Sequence, residues 1–151
     1  MSLRLALVVL AVTVVAGAVV AYVLSRPSDR ERFVDDATAI CDASKHDIDV
    51  AFGAQLSGGP DEQQIARFLS AVLVPELRER LDRLEGLELP ADDRARLEDL
   101  FVEYRAEVDA IANDPAAAVS LTDPFAAVDE RFDAYGLPAC GSAPPRSSSS
   151  S

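Results

Sequence analysis

Tyr135-Gly136-Leu137-Pro138-Ala139-Cys140-Gly141 reads as the end of a helix followed by a fastening point. Gly136 is the residue type that adopts the left-handed conformation closing a helix, and Leu137 supplies the hydrophobic contact that accompanies such a stop. Pro138 then keeps the helix from resuming. The chain has two cysteines, so a disulfide partner for Cys140 within the chain would have to be Cys41, some 100 residues earlier. Whether the two can meet depends on what lies between them.

Outward from this stop, apolar residues recur at the three- and four-residue steps of amphipathic helices. Ahead of Gly136 the stripe is Phe125, Val128, Phe132 and Tyr135, with Asp123 as the expected cap and Pro124 at the first helical position. A small-residue link over 114–122 precedes it. The preceding helix is expected from about Asp92 to Asn113, carrying Leu97, Leu100, Phe101, Tyr104, Val108 and Ile111 on one face. Asp92 and Asp93 suit the positive end of its dipole. Another helix spans about Asp61 to Glu85, with Ile65, Phe68, Leu69, Val72, Leu73, Leu77, Leu81 and Leu84. Pro75 should kink it near 72–74 or split it into two short helices in line, because proline lacks the N–H donor and crowds the preceding turn. The first helix of the unit starts at Ser28-Asp29-Arg30-Glu31, a Ser-x-x-Glu capping box. Its stripe runs Phe33, Ala37, Ile40, Cys41, Ser44, Ile48, Phe52 and Leu56 until Ser57-Gly58-Gly59-Pro60 ends it. Four such helices with short links predict an all-α fold, an antiparallel four-helix bundle over 28–141.

Leu5 to Leu24 is a different kind of segment: 20 residues without a charge. As a helix it would rise about 30 Å, the thickness of a bilayer hydrocarbon core. The expected organisation is therefore a short cytoplasmic N-terminus (1–4), a transmembrane helix or signal anchor (5–24), a linker (25–27), the bundle (28–141) and a Pro/Ser tail (142–151) with nothing to bury. A cleaved signal peptide is the rival reading, since Val23-Leu24-Ser25 and Ala16-Gly17-Ala18 resemble cleavage sites. The length of the apolar run and the lack of a polar region before Ala-x-Ala favour an uncleaved anchor. Gly17 and Ala21, spaced by four, offer a surface for homodimerisation through the anchor.

In an up-down-up-down bundle the end of the fourth helix returns toward the first, which brings Cys140 to Cys41. A disulfide between them would close a loop of about 100 residues, worth roughly 4 to 5 kcal/mol. An export or anchoring segment ahead of the pair favours the bridge over two unrelated thiols. An oxidised pair places the bundle outside the cytoplasm and Arg4 inside. That overrides a weak contrary bias, because Arg26, Arg30 and Arg32 outnumber Arg4 on the bundle side.

Ala39-Ile40-Cys41 on the first helix, Leu87-Glu88-Leu89-Pro90 before the third, and the Tyr135–Gly141 ending together resemble a loose set of proteins. These are the small exported or lipid-anchored helical proteins of high-GC Gram-positive bacteria. The resemblance spans 28–141 and implies an extracytoplasmic helical bundle with a terminal disulfide, without implying an activity. This chain departs from many of the set in lacking an N-terminal lipid-attachment cysteine, which again favours a transmembrane anchor.

Charge narrows the partners. All 26 acidic residues follow Arg26, with 12 of the 14 basic ones, a net −14 beyond the apolar segment. Such a surface repels nucleic acid and anionic headgroups, so no nucleic-acid role is expected. Catalytic signatures are lacking as well. His46 is the one histidine, flanked by Asp42 and Asp49, and no nucleophile accompanies it. No phosphate loop, nucleophile elbow or dinucleotide fingerprint occurs. No glutamate stands three residues before the histidine, as a di-iron bundle requires, and Asp42, Asp47 and Asp49 lack the glycine and glutamate of a calcium loop. The expectation is a non-enzymatic protein without cofactor or metal. It is a membrane-tethered binding or accessory module acting on an envelope protein partner. The alternatives are a secreted bundle and, from another class, an envelope enzyme or small-ligand carrier, which a polar cavity among the helices would favour.

Overall fold

A computed structural model describes residues 27–120 and 124–141. The expected anchor 5–24, the Asp123 cap and the tail 142–151 lie outside the described residues, and among these no helix is long and apolar enough to cross a membrane. The described chain is all-helical and carries a disulfide between Cys41 and Cys140.

Helix α1 (Asp29–Gln55) begins at the predicted capping box: the Ser28 hydroxyl accepts from the Glu31 N–H, and the Glu31 carboxylate accepts from the Ser28 N–H. Gly58 and Gly59, both at positive φ, turn the chain after it. Helix α2 (Glu62–Phe68) has a second reciprocal cap, Asp61 with Gln64. Where the interruption was expected the helix carries one wide π turn, Leu69–Leu73, in which the Val74 N–H reaches back five residues to the Leu69 carbonyl. Helix α3 (Val74–Glu85) follows with Pro75 in its first turn. The wider turn makes room for the pyrrolidine ring, which a regular helix would press against a carbonyl.

Helix α4 (Arg94–Asn113) starts slightly later than expected, after a turn in which the Asp93 N–H donates to the Pro90 carbonyl. Asp93 makes no side-chain cap; its carboxylate is used elsewhere. The expected link over 114–122 contains a short helix, α5 (Pro115–Val119), because Asp114 accepts from the Ala117 N–H with Pro115 at the first position. Helix α6 (Ala126–Tyr135) has Phe125 at its cap position, so it begins later than Pro124. At its end Gly136 adopts φ +105°, while the Leu137 and Gly136 N–H groups return to the Phe132 and Asp133 carbonyls. That is the predicted stop, with Leu137 fully buried.

Pair register shows the four long arms running antiparallel. Ser44 meets Arg80 and Phe52 meets Phe68 between the first two; Arg78 meets Asp109 and Glu85 meets Arg105 between α3 and α4. Between α4 and α6, Tyr104 faces Phe132 and Asp93 faces Tyr135. One core joins Phe33, Ala37, Leu77, Leu81, Leu84, Leu97, Leu100, Tyr104, Val128, Phe132 and both cysteines. The stripe of α1 weakens at its far end, where Phe52 is 51% exposed. There the Phe68 ring meets it edge-on and covers one side.

Candidate functional site

Two features stand out, and both sit where α6 and its C-terminal extension meet α1. The first is the fastening. Helix α6 packs along α4, and it is tied to α1 by the disulfide, with Cα atoms 4.9 Å apart and both cysteines within the core. Near the start of α1, the Phe33 and Tyr135 rings meet edge to face at 6.0 Å. Arg30 donates to the Tyr135 carbonyl at 2.8 Å, and its guanidinium lies 4.8 Å from that ring. Arg96 approaches the same ring at 5.4 Å, and the Tyr135 hydroxyl donates to Asp93 at 2.9 Å. Three helix ends are thus joined through one tyrosine. Burial first, then the bond to Asp93 and the charge of that carboxylate, push the Tyr135 hydroxyl up to about 12, against the opposing pull of Arg30 and Arg96. Gly141 ends the strap 139–141 that follows α6: a Cβ there would come within 3.3 Å of the Asp133 Oδ1 and 3.4 Å of the Asp129 backbone, so the segment lies tight against α6.

The second feature is an open cleft of about 240 Å³ beside the disulfide. Lys45, Ile48 and Asp49 line it from α1, and Leu73 from the π turn. Leu77 and Arg80 come from α3, Tyr104 from α4, Phe125 and Asp129 from the α6 side, and the 139–141 strap closes it. Arg80 is 8% exposed and its Nε donates to the buried Ser44 hydroxyl at 2.9 Å. This is a charged group within an apolar wall, tolerated because it is hydrogen-bonded. Tyr104 is 2% exposed, with its ring against Phe132 and Phe125 at 5.7 and 5.8 Å. Its hydroxyl is one of two buried side-chain polar atoms among the described residues that lack a hydrogen-bond partner; the other is Asp133 Oδ1. Burial pushes the Tyr104 hydroxyl up, Arg80 opposes this and Asp129 adds to it.

Of the residues singled out from the sequence, Cys41 and Cys140 are brought together. His46, Asp42 and Asp49 are exposed on α1, and among the described residues no three His, Cys, Asp or Glu side chains are placed to hold a metal ion. Sequence reasoning passed over Arg80, although its position carries a signal. Leu77-Arg78-Glu79-Arg80-Leu81 places a charge three residues after one core leucine and next to another, where the helical period calls for an apolar side chain.

No family model, curated protein or solved structure matches the chain.

Proposed function

We propose that the chain is a membrane-tethered, extracytoplasmic helical module of the cell envelope, acting by binding rather than by catalysis. The observation that carries this reading is the Cys41–Cys140 disulfide, since such bonds persist in oxidising compartments and are rare in the cytosol. The 20-residue apolar segment ahead of the bundle supports the tether, and the net charge of −14 beyond it supports a partner other than nucleic acid. The capping box at Ser28 starts α1 four residues after that segment, so the bundle would stand close to the bilayer surface.

Cell fractionation followed by intact mass tests this. The full chain should sediment with membranes, resist an alkaline wash and retain the mass of residues 1–151. A shortened chain in the medium would establish the secreted form instead. A second reading, a small-ligand carrier, is favoured by the cleft over Arg80 and Tyr104.

A further inference from the structure

The chain enters the bundle at Ser28 and leaves the described residues at Gly141. The disulfide ties Cys140, next to that exit, to Cys41, only 13 residues after the entrance. A pull between the two ends therefore runs along α1 from Ser28 to Cys41, across the bond and out through Cys140. Residues 42–139 form a closed loop that lies off this path. Were the bond absent, the same pull would run through every element between. The loaded stretch is well pinned: the Ser28–Glu31 capping box closes its first turn, Arg30 donates to the Tyr135 carbonyl, and Phe33, Ala37 and Ile40 sit in the core. The half of α1 that carries the exposed Val50 and Phe52 falls beyond Cys41, inside the loop.

We infer that the strap and the disulfide form a tension bypass: a pull between the N-terminal segment and the chain beyond Gly141 is borne by residues 28–41 and the Cys41–Cys140 bond, and residues 42–139 stay folded while it acts. The bypass needs no particular compartment or partner, so its failure and that of the membrane reading are told apart. Length separates the two paths. Residues 28 to 41 rise about 20 Å as helix and reach about 45 Å when extended, a gain of roughly 25 Å. The path without the bond, residues 28 to 140, would gain roughly 370 Å from the same starting span.

The test is single-molecule stretching of the full chain in detergent, by handles ligated to its two termini, with a protease in the buffer. The chain outside 28–141 adds the same length with and without reductant. Beyond that length, oxidised chains should gain no more than roughly 25 Å, and reductant should raise the gain to roughly 370 Å. Once the protease is washed out, reductant also counts the chains cut within 42–139, because only those then part. Their share should match between loaded and unloaded oxidised chains, whereas chains loaded after reduction should be cut at least about tenfold faster. Arg30→Ala should shorten the lifetime before the short step about fivefold, the worth of one net hydrogen bond, while Arg105→Ala, which loses a bond to Glu85 off the path, should leave it unchanged. A tenfold rise in cutting within 42–139 under load overturns the proposal even with the bond intact. A long step in the oxidised chain overturns it equally, as does an effect of Arg105→Ala as large as that of Arg30→Ala.

Discussion

Reducing the Cys41–Cys140 bond removes a constraint from the unfolded chain while leaving the folded one almost unchanged. The two cysteines are 99 positions apart. Closing a loop of that length costs the denatured ensemble about 16 cal/mol/K, or ~4.7 kcal/mol at 25 °C. Both cysteines are buried, at 0 and 3% exposure, so the reduced protein keeps two thiols of nearly the same volume in place and no cavity term enters. Against a total stability of about 5 to 15 kcal/mol for a domain of this kind, reduction removes a third or more. The assay is urea unfolding of the full chain in detergent, followed by circular dichroism, with and without reductant. At a slope of about 1.5 kcal/mol/M the midpoint should fall by roughly 3 M, and the slope should rise as the uncrosslinked chain exposes more surface. A midpoint shift under about 0.5 M, less than ~1 kcal/mol, would refute the assignment of the bridge as the main fastening of α6 to α1.

Three further outcomes follow from the same geometry. Ser44→Ala changes little volume but strips the buried Arg80 of its acceptor, so chemical denaturation should show a loss of about 1.5 to 3 kcal/mol. A loss below 0.5 kcal/mol would mean the bond is idle. Gly136→Ala places a Cβ in open space but at φ +105°, and should cost about 1 to 2 kcal/mol in melting experiments through backbone strain alone. Alkaline titration should destabilise the bundle. The Tyr135 hydroxyl is raised in the folded state, so its contribution is fully present below its ordinary value of 10.0 and is lost as pH climbs through about 12. Tyrosinate absorbance together with the helical signal reads this, and Tyr135→Phe should flatten the loss between those two values.

Much of the fold was written in local pattern. The capping box at Ser28, the stripe from Leu97 to Ile111 and the Gly136 stop are each decided by near neighbours, and each appears as read. The departures arise where distant groups compete for a side chain. Asp93 stands where a capping acid belongs, yet its carboxylate receives the Tyr135 hydroxyl and lies 3.8 Å from Arg30, contacts no short window contains. Asp114-Pro115 carries the same start signal expected of Asp123-Pro124, but a run of alanines behind it reads as linker. Phe52 keeps the period of its stripe and still faces solvent, because the chain opposite offers it one ring edge and no wall. The cleft was the least legible part. It forms because α6 follows α4 while its extension crosses to α1, so Arg80, Tyr104 and the strap converge from three separate stripes.

The bundle is fastened by the Cys41–Cys140 disulfide, and its proposed place is outside the cytoplasm. Both points are tested most directly by labelling cells expressing the full chain with a maleimide during acid quench, then denaturing the protein without reductant and measuring its mass. The account predicts that neither cysteine takes up the reagent, and that both do so once a reductant is added. Two maleimides on the unreduced protein would contradict it.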